Sequence, residues 1–327
     1  MDTFFTDFVS GIDFGEVQSF KNLQIIPLFT AGEEGPVYLT LKEALEKRLL
    51  VITEVSAQAS VPELKVINNA DVSVLLLDGE EVAGAKQNRV LNTSILVKEK
   101  SELIIPVSCT EQGRWSYQTD EFSNSENILS YKIRGKKAAS VSDSLREGGN
   151  YQSDQGAIWE NIEEMSESAG VHSPTGAMKD VFEEKKADLD DYMKAFQCLP
   201  HQKGVFVLVG GEVAGWDMLS RETAFEIIFP KLVKSYAMDA LLEKNKKKED
   251  VAWRETAGKF MEEIKECQEK KYASLGQGWD YRFEGKDKVG SALVFDDTII
   301  HMAFFKMSKE ERAGRMSGYK RRRGYRI

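Results

Sequence analysis

Between residues 20 and 110 the chain alternates short apolar runs with turn-forming residues, a pattern that predicts β-strands. The runs are rich in β-branched residues, which favour extended backbone. The clearest of them cover residues 23–29, 49–55, 63–68, 71–78 and 102–108. One helix is predicted among them at residues 40–48, because Thr40 is a suitable N-cap and Glu43 completes a capping box.

From about residue 142 onwards the apolar residues recur at helical spacing instead. The pattern predicts three amphipathic stretches, at residues 178–196, 225–241 and 253–267. Pro230 lies inside the second stretch, where it removes a backbone hydrogen bond and predicts either a kink or the start of a new helix. The polar run at residues 244–250 predicts a solvated loop.

Three segments share a further pattern, in which an apolar run, a Gly or Asp turn and a second apolar run follow one another. The predicted turn centres are Asp78-Gly79, Gly210-Gly211 and Asp296-Asp297. Each of them predicts a β-hairpin. Hairpins spread along the chain with helices between them predict an α+β fold, with largely antiparallel sheets built from hairpins and several packed helices.

Length and composition allow one large domain or two smaller ones, since 327 residues with 42% hydrophobic side chains supply an adequate core. We expect a single α+β domain over residues 1–306. A β-rich part at residues 1–140 and a helix-rich part at residues 141–306 are an alternative division within it. Residues 307–327 are predicted to form a basic, flexible tail.

Charge is distributed unevenly along the chain. The 44 basic and 53 acidic residues give a net charge of −9, but residues 312–327 contain seven bases and no acid. The rest of the chain therefore has 37 bases against 53 acids. Because a body of that charge repels nucleic acid, only residues 312–327 are expected to attract it.

Several common classes of protein are not predicted. No apolar run reaches the roughly 18–20 residues of a membrane-spanning helix, and the acidic N-terminal segment does not resemble a secretory signal. Three widely spaced cysteines predict neither a disulfide framework nor a structural zinc site. We therefore expect a cytoplasmic protein without a membrane partner.

The densest polar segment, residues 77–115, lies where a core hairpin would ordinarily be apolar. If Val97 faces Glu102 across a turn, Arg89 lies opposite Thr110, next to the glutamate that follows it. The segment is therefore the first candidate for a functional site.

Five side chains of this segment suit a phosphate-bearing ligand. Arg89 and Arg114 offer paired donors to phosphate or carboxylate groups. Trp115 offers a flat ring to a base or a sugar. Alternation along the strand places Gln87 on the same face as Arg89 and Asn88 on the opposite one, and both amides suit a ribose or base edge.

The glutamates of the segment supply further chemistry. Glu81 and Glu111 are the candidate catalytic residues, because a positioned carboxylate can act as a general base. Glu80, Glu81 and Glu111 are also candidate ligands for a hard cation such as Mg²⁺ or Mn²⁺. The alternative interpretation is structural, with Arg89 and Glu111 forming a cross-strand ion pair and Trp115 capping the core.

A later segment adds two candidate ligand-binding residues. Ser153 or Asp154 is predicted to cap a helix that has Gln155 and Trp159 on one face. Trp159 suits a stacked ligand and the protein core equally well.

Two further segments are open to a structural or a functional interpretation. Ser173 and Thr175 precede a predicted helix; such residues are most often N-caps, but a helix N-terminus also binds anions. Five bases at residues 132–146 predict a solvated loop or, alternatively, a loop that faces a phosphate.

Five ordered motifs resemble a prokaryotic family named for its association with ADP-ribosylglycohydrolases and rhodanese-phosphatases: LDGEEVAGAKQNRVLN, IPVSCTEQGRW, DQGAIW, HSPT and GEVAGWDML with FPKLVKSYAMDAL. The resemblance extends over roughly residues 20–305. Asp217 fills the place of an aspartate expected after Gly-Leu, although this chain has GWDML there. The family's associations imply the handling of NAD- or ADP-ribose-linked nucleotides in a bacterial stress or conflict system.

The leading hypothesis is that the protein binds or processes an ADP-ribose/NAD-type nucleotide, with hydrolysis as the expected reaction if it is an enzyme. One alternative is a non-catalytic scaffold or interaction module with protein partners. The other is RNA processing through residues 312–327.

Overall fold

The computed structural model describes residues 1–32, 34–56, 62–243 and 252–308. The polar loop predicted at residues 244–250 and the basic residues 312–327 lie outside the described residues.

Eight helices lie within the described ranges. They are α1 (Thr3–Ser10), α2 (Leu41–Glu46), α3 (Tyr131–Arg146), α4 (Gln155–Ala169), α5 (Met178–Glu184), α6 (Lys186–Ala195), α7 (Glu222–Leu242) and α8 (Trp253–Lys265). None of these helices is both long and apolar enough to cross a membrane.

The same ranges contain eighteen strands. The first nine are β1 (Ile12–Phe14), β2 (Gln18–Phe20), β3 (Leu23–Thr30), β4 (Tyr38–Thr40), β5 (Leu50–Glu54), β6 (Glu63–Asn68), β7 (Ser73–Leu76), β8 (Glu80–Gly84) and β9 (Arg89–Leu91). The others are β10 (Ile95–Val97), β11 (Ser101–Cys109), β12 (Phe122–Ile128), β13 (Gly204–Val209), β14 (Glu212–Leu219), β15 (Gln268–Ala273), β16 (Trp279–Glu284), β17 (Lys288–Phe295) and β18 (Thr298–Lys306).

The strands form three sheets, which confirms the predicted α+β class. The largest has the order β1-β3-β13-β14-β18-β17-β16-β15, with β2 also paired to β3. A second sheet has the order β12-β8-β9-β11-β6-β5, and a third has the order β10-β7-β4. Among these described pairs only β4 and β7 are parallel.

Side chains alternate across the largest sheet and supply two separate cores. Ile26, Phe206 and Trp216 belong to a core on one face, which also contains residues of α1 and α8. Ile25 and Val207 belong to a core on the other face, together with residues of α3 to α7. The central strands are therefore buried on both faces, which explains why they are apolar throughout rather than at every second position.

Two of the three predicted hairpins are confirmed. Val209 pairs with Glu212 around Gly210-Gly211, and Phe295 pairs with Thr298 around Asp296-Asp297. All four turn residues have positive φ, between 47° and 81°. Such two-residue turns match the right-handed twist of the strands that they connect.

The prediction of a hairpin at Asp78-Gly79 is wrong. Strand β7 pairs with β4 and β10, whereas β8 pairs with β9 and β12. The chain passes from one sheet to another at this point. Gly79 has a φ of 83°, and a Cβ atom there would lie 3.1 Å from the side chain of Arg134. Asp78 and Gly79 do form a turn, in which the N–H of Glu80 donates to the carbonyl of Leu77 at 3.1 Å, but it connects two sheets and not the strands of a hairpin. Glycine is favoured here by the positive φ and by the close approach of Arg134.

The strand pairing predicted around Val97 is also wrong, because β10 pairs with β7 and not with β11. Strand β9 does pair with β11, but Arg89 lies opposite Cys109, one residue from the predicted Thr110. The physical reason lies in residues 92–94, which separate β9 from β10. Their polar side chains bond to other parts of the chain and direct it into the third sheet.

Local predictions for the helices have mixed outcomes. Thr40 and Glu43 form the expected capping box at the start of α2. Helix α7 continues through Pro230, so no new helix begins there. The prediction of a loop at residues 132–146 is wrong, because these residues belong to α3, in which ten residues are buried. Two of its basic residues, Arg134 and Lys137, are buried in ion pairs. Because charged residues therefore lie on the buried face as well as on the exposed face, the sequence lacks the pattern of an amphipathic helix.

A buried ionic network joins α3 to the largest sheet. Arg134 donates to both carboxylate oxygens of Asp217, at 2.9 and 2.6 Å. Tyr236 donates to Asp217 at 2.7 Å, and His301 Nε2 lies 3.4 Å from its Oδ1. All four side chains are essentially inaccessible to solvent. Burial raises the pKa of Asp217, but Arg134 and His301 outweigh it and hold the pKa well below its usual range.

Replacing Asp217 by Asn should destabilise the fold by about 3–5 kcal/mol, because it leaves the Arg134 charge buried without a counter-ion. Urea unfolding measures the change. Asp71→Asn is the matched control, since Asp71 forms an exposed pair with Lys100 and such pairs contribute about 1 kcal/mol at most. A loss at Asp217 no larger than that at Asp71 would show that the network is not needed.

Candidate functional site

Glu111 is the centre of a hydrogen-bonded group just beyond the end of β11. Its Oε1 accepts from Thr175 Oγ1 at 2.9 Å. Its Oε2 accepts from Arg114 Nη2 at 2.6 Å and from the backbone N–H of Asn88 at 3.3 Å. Burial raises the pKa of Glu111, but the hydrogen bonds from Arg114 and Thr175 outweigh it and lower the pKa.

Backbone bonds hold the segment with Glu111 against the segment with Thr175. The N–H of Gly113 donates to the carbonyl of Thr175 at 2.7 Å, and the N–H of Met178 donates to the carbonyl of Thr110 at 2.9 Å. A Cβ atom at Gly113 would lie 3.0 Å from the Thr175 backbone. The two predicted segments are therefore brought together by main-chain contact as well as by side chains.

Arg114 fixes a strained turn beside this group. Its Nη1 donates to the carbonyl of Ala85 at 2.7 Å, and its Nη2 donates to Asn88 Oδ1 at 3.2 Å. Ala85 has a φ of 39°, which disfavours a residue with a side chain. Arg114 is only 7% exposed, and its hydrogen bonds connect the turn after β8 to the segment after β11.

Arg89 is fully buried and does not pair with Glu111, so the cross-strand ion pair of the structural interpretation does not form. Arg89 Nη1 instead donates to Gln87 Oε1 at 2.9 Å, and Nη2 lies 3.6 Å from Glu54 Oε1. The Gln87 amide donates in turn to a backbone carbonyl of the segment after β11. The guanidinium of Arg89 lies 5.9 Å from the ring centre of Trp115.

Trp115 lies at the surface, so the prediction that it caps the core is wrong. Its side chain and that of Tyr117 are each 48% exposed. The Lys86 ammonium lies 5.3 Å from the Trp115 ring centre and 5.0 Å from the Tyr117 ring centre. The chain thus presents two aromatic rings around one cation, above the buried Arg89. We call Lys86, Trp115 and Tyr117 the aromatic surface.

Glu80 and Glu81 point to opposite sides of β8. Glu80 pairs with Lys231 at 2.8 Å and accepts from the backbone N–H of Leu77. Glu81 is inaccessible to solvent and accepts from Thr110 Oγ1 at 2.6 Å. Burial raises the pKa of Glu81 to about 7, against the effect of the hydrogen bond from Thr110.

The three candidate metal ligands, Glu80, Glu81 and Glu111, are not brought together. Each carboxylate has different partners, as described above. Within the ranges that the structure covers, no group of three or more His, Cys, Asp or Glu side chains could hold a metal ion.

The helix α4 is attached to the site by Gln155. Its N-cap is Asp154, one of the two residues predicted for that position, and Asp154 accepts from the N–H of Ala157. The Gln155 amide accepts from the N–H of Cys109 at 2.7 Å and donates to the Cys109 carbonyl at 2.9 Å. Trp159 is partly buried, and its indole N–H has no hydrogen-bond partner within the described structure.

Neither Ser173 nor Thr175 is the N-cap of α5, which is Ala177; Ser173 bonds to the start of the helix, while Thr175 belongs to the Glu111 group. Ser173 Oγ accepts from the N–H of Ala177 at 2.8 Å and donates to Asp180 at 2.5 Å. The structure thus gathers most of the predicted ligand-binding residues around Glu111, and these are Gln87, Asn88, Arg89, Arg114, Trp115 and Thr175. Glu81, Gln155, Trp159 and Ser173 lie at their periphery or contact them indirectly.

Three residues of this region are not among those predicted from the sequence. Lys86 and Tyr117 complete the aromatic surface, and Glu54 is the ionic partner of Arg89. The alternation of Trp115 and Tyr117 was a signal for two rings on one side of an extended segment. No local signal identifies Glu54, because it comes from a distant strand.

Glu81→Gln should change the pH dependence of stability. An unfolded glutamate has a pKa of about 4.3, so between pH 4.3 and about pH 7 the folded protein binds more protons than the unfolded chain. Stability therefore falls as the pH rises through this interval. The variant lacks the titration and should gain up to roughly 3 kcal/mol relative to the wild type between pH 5 and pH 8. Urea unfolding at both pH values measures this gain.

The matched control for that experiment is Glu121→Gln, at an exposed position. If Glu81→Gln and Glu121→Gln changed stability equally between pH 5 and pH 8, burial of an ionisable group at Glu81 would be refuted.

Comparisons with known proteins identify a family. No curated protein and no solved structure matches the chain. Residues 11–305 match the model of a family described as the ARG and Rhodanese-Phosphatase-superfamily-associated Protein domain. The description links the family to ADP-ribose systems, since ARG denotes ADP-ribosylglycohydrolase. This match confirms the resemblance seen in the motifs, and the chain belongs to the ARG and Rhodanese-Phosphatase-superfamily-associated Protein domain family.

Proposed function

We propose that the protein recognises an ADP-ribose/NAD-type nucleotide at the aromatic surface. The observation that carries this proposal is the pair of half-exposed rings, Trp115 and Tyr117, with the Lys86 ammonium within about 5 Å of both ring centres. The family's link to ADP-ribose systems supports the choice of nucleotide.

The aromatic surface has the components that nucleotide binding requires. A base that stacks on an aromatic ring gains about 1–3 kcal/mol. An adenine ring on Trp115 or Tyr117 would displace the Lys86 ammonium from the ring face. Lys86 would then be placed to pair with the pyrophosphate. Its ammonium would contact the aromatic rings in the free protein and the phosphates in the complex.

The Glu111 group lies next to the aromatic surface and holds its segments in place. Glu111 and Arg114 connect the turn at Ala85 to the segment that begins with Trp115. Because these groups already have hydrogen-bond partners, they fix the positions of Lys86, Gln87 and Trp115 before a ligand arrives. Such pre-organisation lowers the entropy cost of binding.

Recognition is better supported than hydrolysis. The pKa of Glu81 near 7 would suit a general base, but the side chain is inaccessible to solvent and to any surface ligand. Glu111 is committed to Arg114 and Thr175. We therefore assign both carboxylates to support of the binding surface. Mg²⁺ or Mn²⁺ would enter with the nucleotide phosphates.

Trp115→Ala should weaken nucleotide binding about 10- to 100-fold, which corresponds to the loss of one stacked base. Calorimetric titration of the full chain with ADP-ribose and NAD, with and without Mg²⁺, measures the affinity. Trp279→Ala is the matched control, since Trp279 is 47% exposed and also has a lysine, Lys271, over its ring. Absence of saturable binding to the wild type, or equal losses in both variants, would contradict the proposal.

A non-catalytic scaffold is a second candidate, because the predicted site residues at the centre of the group are buried and bond to other protein groups. Arg89 and Glu111 are 0% and 5% exposed. Two cavities, of about 210 and 320 Å³, are lined by other residues. In this interpretation the polar group only stabilises a surface that binds protein partners.

Glu111→Gln should cost about 1–3 kcal/mol of stability at pH 7, because it removes charge-assisted bonds from Arg114 and Thr175. The folded-state pKa of Glu111 is lowered, so this stability is present above the unfolded pKa and is lost as the pH falls through the folded pKa. The deficit of the variant should therefore shrink in acid, opposite in sign to the effect at Glu81. Urea unfolding at pH 7 and pH 3 measures it, and a deficit that grows in acid would contradict the assignment.

The same variant separates the two candidate functions. If the surface recognises a nucleotide, Glu111→Gln lowers affinity as well as stability, since Lys86 and Trp115 lose their support. If the protein is a scaffold, Glu111→Gln lowers stability in the same way, but the wild-type chain binds none of the nucleotides.

A further inference from the structure

A second polar site lies away from the aromatic surface, in the cavity of about 210 Å³ between the end of α3 and the edge of the largest sheet. Its lining residues come from α3, β15 and β16, and they are Ser142, Arg146, Gln268, Lys270, Tyr272, Arg282 and Glu284. None of them belongs to the Glu111 group. We call this site the β15 cavity.

The strand register explains why these side chains meet. Gln268 pairs with Glu284, and Lys270 pairs with Arg282. Because alternate residues of a strand share a face, these four side chains lie on the same side of the sheet. Lys271 lies on the other side, where its ammonium is 4.2 Å from the Trp279 ring centre.

Arg282 is a buried cation that lines the cavity, with only 3% of its surface exposed. Its Nε donates to Asp280 Oδ1 at 2.6 Å, and its Nη2 donates to Asp280 Oδ2 at 2.9 Å and to Thr93 Oγ1 at 2.6 Å. The Tyr151 ring lies 5.6 Å from the guanidinium carbon. These contacts fix the guanidinium plane and leave Nη1 for a group inside the cavity.

The lining residues include more cations than carboxylates, although Asp280 and Asp143 pair with two of these cations from outside the lining. Arg146, Lys270 and Arg282 contribute three cations, and Glu284 contributes one carboxylate. Arg146 is already shared between Asp143 and Glu284 at the rim. An incoming anion would therefore meet Lys270 and Arg282 first. The chain as a whole has a net charge of −9, so a long polyanion would be repelled while a small anion would be attracted locally.

Size narrows the class of ligand. Pockets for drug-sized molecules usually have volumes of about 300–1,000 Å³, and this cavity is smaller. A phosphoryl group is compact, carries up to two negative charges and accepts several hydrogen bonds. Arginine and lysine supply its charged donors, and the amide of Gln268 and the hydroxyl of Tyr272 are neutral donors from the same lining.

From this charge, geometry and volume we propose that the β15 cavity binds a phosphoryl group, either as inorganic phosphate or as the terminal phosphate of a small phosphomonoester. Arg282 is the fixed donor, and Lys270 is the flexible one that closes on the anion. The site is independent of the nucleotide proposed for the aromatic surface, because the two share no residue.

Calorimetric titration of the full chain with inorganic phosphate, at constant ionic strength set by chloride, tests the proposal. The wild type should bind phosphate in a saturable way, and Lys270→Gln should raise the Kd at least about fivefold. Lys271→Gln is the matched control, since it removes the same charge from the neighbouring residue on the other face and should leave the Kd unchanged. Titration with glycerol 3-phosphate, a phosphomonoester without a base to stack on the aromatic surface, distinguishes a free anion from a phosphomonoester.

Two results would overturn the proposal: no saturable binding of either probe to the wild type, or an equal rise in Kd for Lys270→Gln and Lys271→Gln. The latter would indicate general charge attraction. Trp115→Ala separates this site from the aromatic surface, because it should leave phosphate binding unchanged even where it weakens the binding of ADP-ribose.

Discussion

The structure depends on a charge that is completely removed from water, the guanidinium of Arg134 against the carboxylate of Asp217. Burying such a pair costs several kcal/mol per ion, and the cost is offset only when every remaining donor and acceptor has a partner. Here Tyr236 and His301 satisfy Asp217 from two other elements. Helices α3 and α7 and strands β14 and β18 are therefore held in one arrangement.

The network continues into the polar segment at residues 77–115. Lys137 pairs with Asp78 and donates to the carbonyls of Leu91 and Asn92. The N–H of Asp78 donates to Ser94 Oγ, which lies 2.8 Å from His301 Nδ1, and the other ring nitrogen of His301 lies 3.4 Å from Asp217 Oδ1. Burial lowers the pKa of Lys137 to about 8, against the effect of Asp78. The passage of the chain between sheets at Asp78 is thus fixed by these ionic contacts together with the turn at Asp78-Gly79, in which the N–H of Glu80 donates to the carbonyl of Leu77 at 3.1 Å.

Many of the residues that resemble the family most clearly are partners inside this framework and do not face a ligand. Asp78, Glu80, Arg89, Glu111 and Asp217 are all buried. Their polar side chains specify which elements meet. A rigid polar framework of this kind can support surfaces whose own residues are few and exposed, such as Lys86, Trp115 and Tyr117.

The sequence by itself determined the local features of this protein. The capping box of Thr40, the N-cap of Asp154 and the two-residue turns at Gly210-Gly211 and Asp296-Asp297 depend on neighbours in the chain, and all of them were predicted. The α+β class followed from the same local signals, and the family from ordered motifs. Only the tertiary structure decided that Arg89 pairs with Glu54, that Glu111 pairs with Arg114, and that β10 leaves β9 to pair with β7. The physical reason is that strands buried on both faces lose the alternation that would fix their register. A charged side chain in such a strand is placed by whichever partner the packing of distant elements brings to it.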